Sequence, residues 1–228
     1  MNSRDIFVVV PAYNEGEVLS DSLEPLIAQG YSVVVVDDCS TDHTQELLAG
    51  LPVVAIRHPV NLGQGAALQT GMEFCKSVGA QLAIHFDADG QHDYRQIADL
   101  VAPICAGRAD IVFGSRFLRN ADRNEVPRVK RVALRIGIVV SGVLSGVWLS
   151  DTHNGFRALS RKALEAIDLR EAGFAHATEI LEQTRRARLR YVEVATTIRY
   201  TDYSRAKGQR LSNGINIVLD LILRKLSK

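Results

Sequence analysis

The sequence predicts an α/β domain: a mostly parallel, doubly wound sheet with helices on both faces. Three observations carry that expectation. Short β-branched and aromatic runs alternate with amphipathic segments of helical length up to about residue 115. Three of those runs stop in polar clusters, at 11–15, 37–38 and 87–89, and ligands of such sheets gather at the carboxyl ends of the strands. The chain of 228 residues, 46% hydrophobic and 23% charged, suits one sizeable domain with a real core.

Residues 6–10 read as a central strand buried on both faces. Pro11 is expected to end its ladder and Asn14 to cap a helix over 15–28, with Val18, Leu19, Leu23, Leu26 and Ile27 on the apolar side. Residues 33–36 form a second buried strand running into Asp37 and Asp38. Ser40 or Thr41 then caps a segment to about residue 49, and 53–57 is a third strand. Asn61-Leu62-Gly63-Gln64-Gly65 opens a helix to about 78. It superficially resembles a dinucleotide fingerprint, but Leu68 stands where the third glycine belongs and no strand adjoins it. That site is rejected, and the glycines are expected to permit close backbone approach. Leu82, Ile84 and Phe86 alternate in a short strand, a helix covers about 94–106, and residues 110–114 form a strand ending in Ser115-Arg116.

After Phe117 the organisation changes. Residues 116–135 hold seven cations against Asp122 and Glu125. The apolar stretch 136–149 falls short of the roughly 20 residues a membrane span needs, so it reads as a core or interfacial helix. Polar chemistry returns at 151–157, a helix over 175–186 carries Glu179, 190–200 reads as a strand and 203–208 as a basic loop. The last segment, 211–228, is amphipathic: either a helix packed on the core or one lying on a membrane or membrane partner.

Residues 1–110 carry 15 acidic and 5 basic side chains, residues 111–228 carry 11 acidic and 22 basic. This asymmetry suits a cation at one end of a site and anions at the other, or a surface facing nucleic acid or membrane. One Trp and few aromatics do not suggest base-stacking platforms. Cys39, Cys75 and Cys105, odd in number and without metal-ligand spacing, read as small buried hydrophobes in a reducing compartment. No signal peptide is visible at the N-terminus.

The densest chemistry is Asp87-Ala88-Asp89-Gly90-Gln91-His92-Asp93. Residues i and i+2 of an extended chain point to one side, so Asp87 and Asp89 can address one point. Held together, they repel unless a cation or proton lies between them. Hard divalent ions bind through one or two carboxylates plus substrate phosphates. A metal-assisted phosphate site and an acid-rich turn both fit this stretch alone; three polar clusters at one edge favour the site.

Val-Val-Pro-Ala-Tyr-Asn-Glu at 9–15, Asp37-Asp38, the Asn61/Gly63/Gly65 loop, 87–92 and Gly114-Ser115-Arg116 come in an order and spacing that together resemble family 2 glycosyltransferases of the GT-A fold. The likeness is to the dolichyl-phosphate mannose synthase-like, polyprenyl-phosphate branch, over nearly the whole chain. The resemblance implies a single GT-A catalytic domain over 1–210, with a nucleotide-sugar half (1–115) and an acceptor half (116–210). A C-terminal interfacial helix over 211–228 would follow.

By the same resemblance Pro11, Tyr13, Glu15, Asp37, Asp38, Gly65, Asp87 and Ala88 would surround the nucleotide-sugar, Asp37 or its neighbour meeting the base or ribose. Asp87, Asp89 and Gln91 would hold Mg²⁺ or Mn²⁺ against the donor diphosphate. Arg116, Arg128, Arg131, Arg205 and Lys207 would bind phosphate groups, the acceptor's among them. The catalytic set would be Asp89, Asp151, Arg116 and Arg205.

The implied reaction is an inverting transfer of a mannose- or glucose-type sugar from a GDP- or UDP-sugar to a polyprenyl or dolichyl phosphate at the cytoplasmic membrane face. With no C-terminal membrane helices expected, contact would be peripheral, through interfacial helices or a small membrane-protein partner, and nucleic acid is not an expected partner. The alternative is a hydroxyl acceptor in polysaccharide or glycolipid synthesis, for which Asp151, His153 or Glu179 would supply the base. Residues 151–157 look like the family's Asp-x-x-x-Gly-Phe-Arg element near the acceptor, with His153 a departure and Phe156 a core residue. A nucleotidyltransferase is disfavoured because Pro11–Glu15 stands where its glycine-rich basic loop belongs.

Overall fold

The computed structural model describes residues 2–118, 138, 142–143, 145–152, 154–173 and 175–198. Seven strands are described: β1 (Ile6–Ala12), β2 (Ser32–Asp37), β3 (Val54–Arg57), β4 (Leu82–His85), β5 (Ile111–Ser115), β6 (Arg157–Ser160) and β7 (Tyr191–Ala195). They form one sheet in the order β3-β2-β1-β4-β6-β5-β7. All neighbours are parallel except β6, which runs antiparallel to both β4 and β5. The helices are α1 (Leu19–Ala28), α2 (Thr44–Ala49), α3 (Gln64–Ser77), α4 (Ile97–Cys105), α5 (Arg161–Ala166) and α6 (His176–Arg186).

Alternation along the strands divides the core between the two faces. Val8, Val10 and Ile84 pack with Leu19, Leu23 and Leu26 of α1 and Leu100 of α4. Val9, Ala83 and Phe113 pack with Leu68 and Met72 of α3 and Ile180 and Leu181 of α6. Each of the larger of these side chains, Ala83 apart, contributes about 1.5–3 kcal/mol on burial. Helix α3 lies very close to β1: a Cβ on Gly71 would stand 2.2 Å from a Val9 methyl.

Several local expectations are corrected. Pro11 lies inside β1, not beyond it, pairing with Val36. The ladder toward β4 stops at Val9–His85, followed by Phe86 N–H donating to Val9 O at 3.0 Å, so no partner on that side needs the missing proline N–H. Asn14 does not cap α1. Its φ is +53°, and its Oδ1 accepts from Thr41 N–H at 2.8 Å while its own N–H donates to Ser40 Oγ at 2.9 Å. Ser40 and Thr41 are thereby drawn away from α2, and Asp42 accepts from Thr44 N–H instead. Of the cysteines only Cys75 is buried, with burial pushing its thiol up to about 12; Cys39 is half-buried and Cys105 exposed. The segments 203–208 and 211–228 and most of 119–149 lie outside the described residues.

Candidate active site

Parallel pairing aligns the carboxyl ends of β1, β2 and β4, so the three polar clusters meet at one edge. Antiparallel β6 begins at that same edge, where Arg157 pairs with His85 on one side and Phe113 on the other.

At the β2 end both carboxylates are buried and engaged. Asp37 accepts from Ser40 N–H at 2.8 Å and from Arg57 Nη1 at 2.6 Å. Asp38 Oδ1 meets His58 Nδ1 at 2.7 Å and Leu62 N–H at 2.8 Å, and its Oδ2 takes Gly63 N–H at 2.6 Å. His58 in turn reaches Thr70 Oγ1 at 2.8 Å. Asp38 therefore fixes the loop that opens α3. The close approach allowed by that loop's glycines is to another backbone segment: Gly65 N–H donates to Ala172 O at 2.7 Å, and a Cβ there would lie 1.9 Å from Glu171 O. Tyr13, beside Pro11 at the β1 end, is exposed, and Glu15 N–H donates to Thr44 Oγ1 at 3.2 Å.

At the β4 end Asp87 is braced from three directions. Gln64 Nε2 donates to its Oδ1 at 3.0 Å and His92 Nε2 meets its Oδ2 at 2.9 Å. Gly155 lies against the carboxylate, with space for no side chain. His92 is itself fixed by stacking on Phe156 at 4.8 Å and by an edge contact with Phe86. Phe156 is a core residue, as expected. Burial alone would raise the Asp87 carboxyl, but the His92 hydrogen bond and the His92, Arg157 and His176 charges outweigh it and hold the pKa below its ordinary value. Asp89 goes the other way. Burial, then the charge on Asp87, push it up to about 6. Its Oδ1 accepts from Gln91 N–H at 3.0 Å, and Ala88 beside it is buried with its carbonyl on Ser22 Oγ at 2.8 Å.

Across the edge Arg116 is buried and bidentate on Asp151, Nε to Oδ2 at 2.6 Å and Nη2 to Oδ1 at 2.7 Å. Two residues expected to act on substrate thus act first on each other. Glu179 accepts from the backbone N–H groups of Arg170 and Glu171 and so shapes the 170–171 turn. Arg157 is 1% exposed, with burial pulling its guanidinium down to about 10 against the attraction of Asp87 and Asp151. Burial, then the Arg157 and His176 charges, lower His85 to about 3, so its ring is neutral. Among the expected residues Arg128, Arg131, Arg205, Lys207 and His153 lie outside the described residues.

Sequence reasoning gave no role to Gln64, Arg57, His58, His92 or Arg157. Only His92, within the acidic motif, and Arg157, ending the Gly-Phe-Arg element, carried a signal.

The donor set at the β4 end suits a hard divalent cation: two carboxylates at one strand end, whose mutual repulsion a bound cation would relieve. Among the described residues no group of three or more His, Cys, Asp or Glu side chains forms a closed metal cage. A site of two carboxylates leaves positions for substrate phosphate and water, as Mg²⁺ prefers.

A sheet in this strand order, with one antiparallel strand among parallel ones, has the GT-A architecture. Residues 7–168 match Glycosyl transferase family 2, and the chain belongs to that family. It is 30% identical to the UDP-N-acetylglucosamine–dolichyl-phosphate N-acetylglucosaminyltransferase of Methanococcus voltae, over 100% of this chain and 99% of that protein. It is also 30% identical to the dolichol-phosphate mannosyltransferase of Pyrococcus furiosus, over 90% of this chain and 60% of the other. Among solved structures, glucosyl-3-phosphoglycerate synthase from Mycobacterium tuberculosis, in complex with Mn²⁺, UDP and glucosyl-3-phosphoglycerate, superposes with a TM-score of 0.68. That likeness spans 98% of this chain and 79% of that one at 22% identity, and speaks for the fold alone.

Proposed function

We propose that the protein moves a hexose of mannose or glucose type from a GDP- or UDP-sugar to a polyprenyl or dolichyl phosphate, with inversion, at the cytoplasmic face of a membrane. The observation that carries this reading is the braced Asp87 beside Asp89 at the edge where β1, β2 and β4 end. The named activities of the relatives from Methanococcus voltae and Pyrococcus furiosus support the lipid-phosphate acceptor. Asp87, Asp89 and Gln91 would hold Mg²⁺ or Mn²⁺, which supplies Lewis-acid stabilisation to the departing diphosphate. Pro11, Tyr13, Asp37 and Asp38 would frame the nucleoside, the last two chiefly by holding Arg57, Ser40 and the 62–63 backbone in place.

An oxygen of the acceptor phosphate attacks the anomeric carbon, and the bond to the leaving diphosphate breaks with its electron pair. The acceptor is already an anion, so no proton need be removed. Of the candidate bases within the described residues, Asp151 is neutralised by Arg116 and Glu179 is committed to backbone N–H groups; His153 lies outside the described residues. Among the described residues no helix is long and apolar enough to cross a membrane. Leu118, Val143 and Trp148 are exposed in the acceptor half and would serve peripheral contact.

The test is transfer from labelled GDP- and UDP-sugars to polyprenyl phosphate with Mn²⁺ or Mg²⁺. A lipid product released by mild acid is expected; an acid-stable product would refute the phosphate acceptor.

A further inference from the structure

Every buried side-chain nitrogen or oxygen left without a hydrogen-bond partner among the described residues belongs to one of four residues: His85, His92, Thr152 and Arg157. All four lie on β4, on β6 or in the segments leading to this one sheet edge. The case of Arg157 is the most demanding. Its Nε and Nη1 are buried and unpartnered, it makes no ion pair with a described carboxylate, and it is 1% exposed. The two nearby acids are committed elsewhere, Asp87 to Gln64 and His92, and Asp151 to Arg116. His85, its cross-strand neighbour, is an imidazole and supplies no negative charge in any protonation state. A buried cation without a partner is strongly destabilising unless an anion completes it.

We infer that Arg157 is a fixed internal cation of the donor site whose charge the substrate diphosphate balances through the protein interior, without touching it. The inference rests on the donor reading of this edge given above. In that site two positive charges would serve one anion: a divalent ion held by Asp87 and Asp89, and the buried Arg157 guanidinium. Their effects on binding are opposite. Arg157 repels a divalent ion arriving alone and attracts the diphosphate. A residue that only props Asp87 in place would favour both.

The opposition is measurable in the full chain with Arg157→Met, which removes the charge, and Arg157→Lys, which keeps it. Mn²⁺ binding alone is followed by electron paramagnetic resonance. Binding of UDP and of GDP at saturating Mn²⁺ is followed by calorimetry, and thermal melts report the fold. With Arg157→Met, Mn²⁺ alone should bind as tightly as in the wild type or tighter. The better-bound nucleoside diphosphate should bind on the order of tenfold more weakly, and Arg157→Lys should restore most of that loss. Wild-type nucleotide affinity in Arg157→Met overturns the inference. So does a parallel loss of Mn²⁺ and nucleotide in a folded variant, which would make the residue a prop. If Arg157→Met does not fold, Arg157→Gln, which keeps N–H donors without charge, is read by the same outcomes. Wild-type protein that binds neither Mn²⁺ nor either nucleotide would refute the donor site itself, a result distinct from both.

Discussion

Gly155→Ala tests the construction of the acidic site with a single methyl group. Gly155 has no positive φ, so alanine is allowed by the backbone and only the space in front of it matters. A Cβ there would lie 2.4 Å from Asp87 Oδ2, 2.9 Å from Oδ1 and 3.0 Å from Cγ. Ordinary contact requires the carboxylate to retreat by about 1 Å, which breaks the His92 or Gln64 hydrogen bond, each worth about 1.5–3 kcal/mol when one partner is charged. A displacement of about 1 Å at a reacting centre costs about 100-fold in rate, and a disturbed ligand shell costs about 10–100-fold in metal affinity. The expected result is therefore a folded protein with Mn²⁺ affinity down by at least tenfold and kcat/KM by about 100-fold. The assays are Mn²⁺ titration by paramagnetic resonance, steady-state transfer and a thermal melt. Gly173→Ala is the control, because a Cβ there meets nothing within 4 Å. Wild-type Mn²⁺ affinity and turnover in Gly155→Ala would refute the claim that Asp87 must sit against the 155 backbone to work.

Asp89→Ala should abolish metal-dependent turnover while leaving the far-ultraviolet circular dichroism and melt near wild type; full activity in that variant with excess EDTA would overturn the metal assignment. Asp151→Asn removes the carboxylate charge from the buried bidentate pair with Arg116 and should lower unfolding stability by about 3–5 kcal/mol in urea melts. Asp110 accepts from Arg190 Nη2 and N–H, both at 2.8 Å, and from Lys162 at 3.1 Å, with the Arg190 hydrogen bond first in holding its carboxyl well below the usual range. Because the folded value is depressed, its stabilisation is complete above the unfolded value near 4 and disappears as pH falls through the folded one. Asp110→Asn should cost about 1.5–3 kcal/mol at pH 7 and much less at pH 2, measured by denaturant titration.

The parts of the fold that were legible in the sequence are those whose signal is local. Val33–Val36 and Ile6–Val10 are β-branched runs that no helix would favour, and the acid clusters after them mark the strand ends. Strand β6 was not legible. Arg157-Ala158-Leu159-Ser160 has no β-branched residue, begins with a cation, and passes directly into α5. Its strand conformation comes from pairing with β4 and β5, which a local reading does not contain. Asn14 failed as a cap for a related reason: the competing partners, Ser40 and Thr41, are more than 25 residues away. Asp87 and Asp89 were legible as a pair. What braces Asp87 was not, because Gln64 lies 23 residues before it and Gly155 comes from a different strand end.

That same strand explains why a chain acidic in its first half and basic in its second can make a single site. Were β6 parallel to its neighbours, Arg157 would begin at the amino edge, a sheet's width from Asp87. Antiparallel insertion turns the 151–157 segment back onto the carboxyl edge, where His85 and Arg157 share a register position. A nucleotide-binding sheet needs only β1 to β4 for its phosphate edge. β5 ends at that edge just before Arg116, and β6 in reverse brings there both Asp151, which neutralises Arg116, and Arg157, which has no such pair. On the proposed donor reading, Arg157 gives the edge a positive charge that a departing diphosphate would balance.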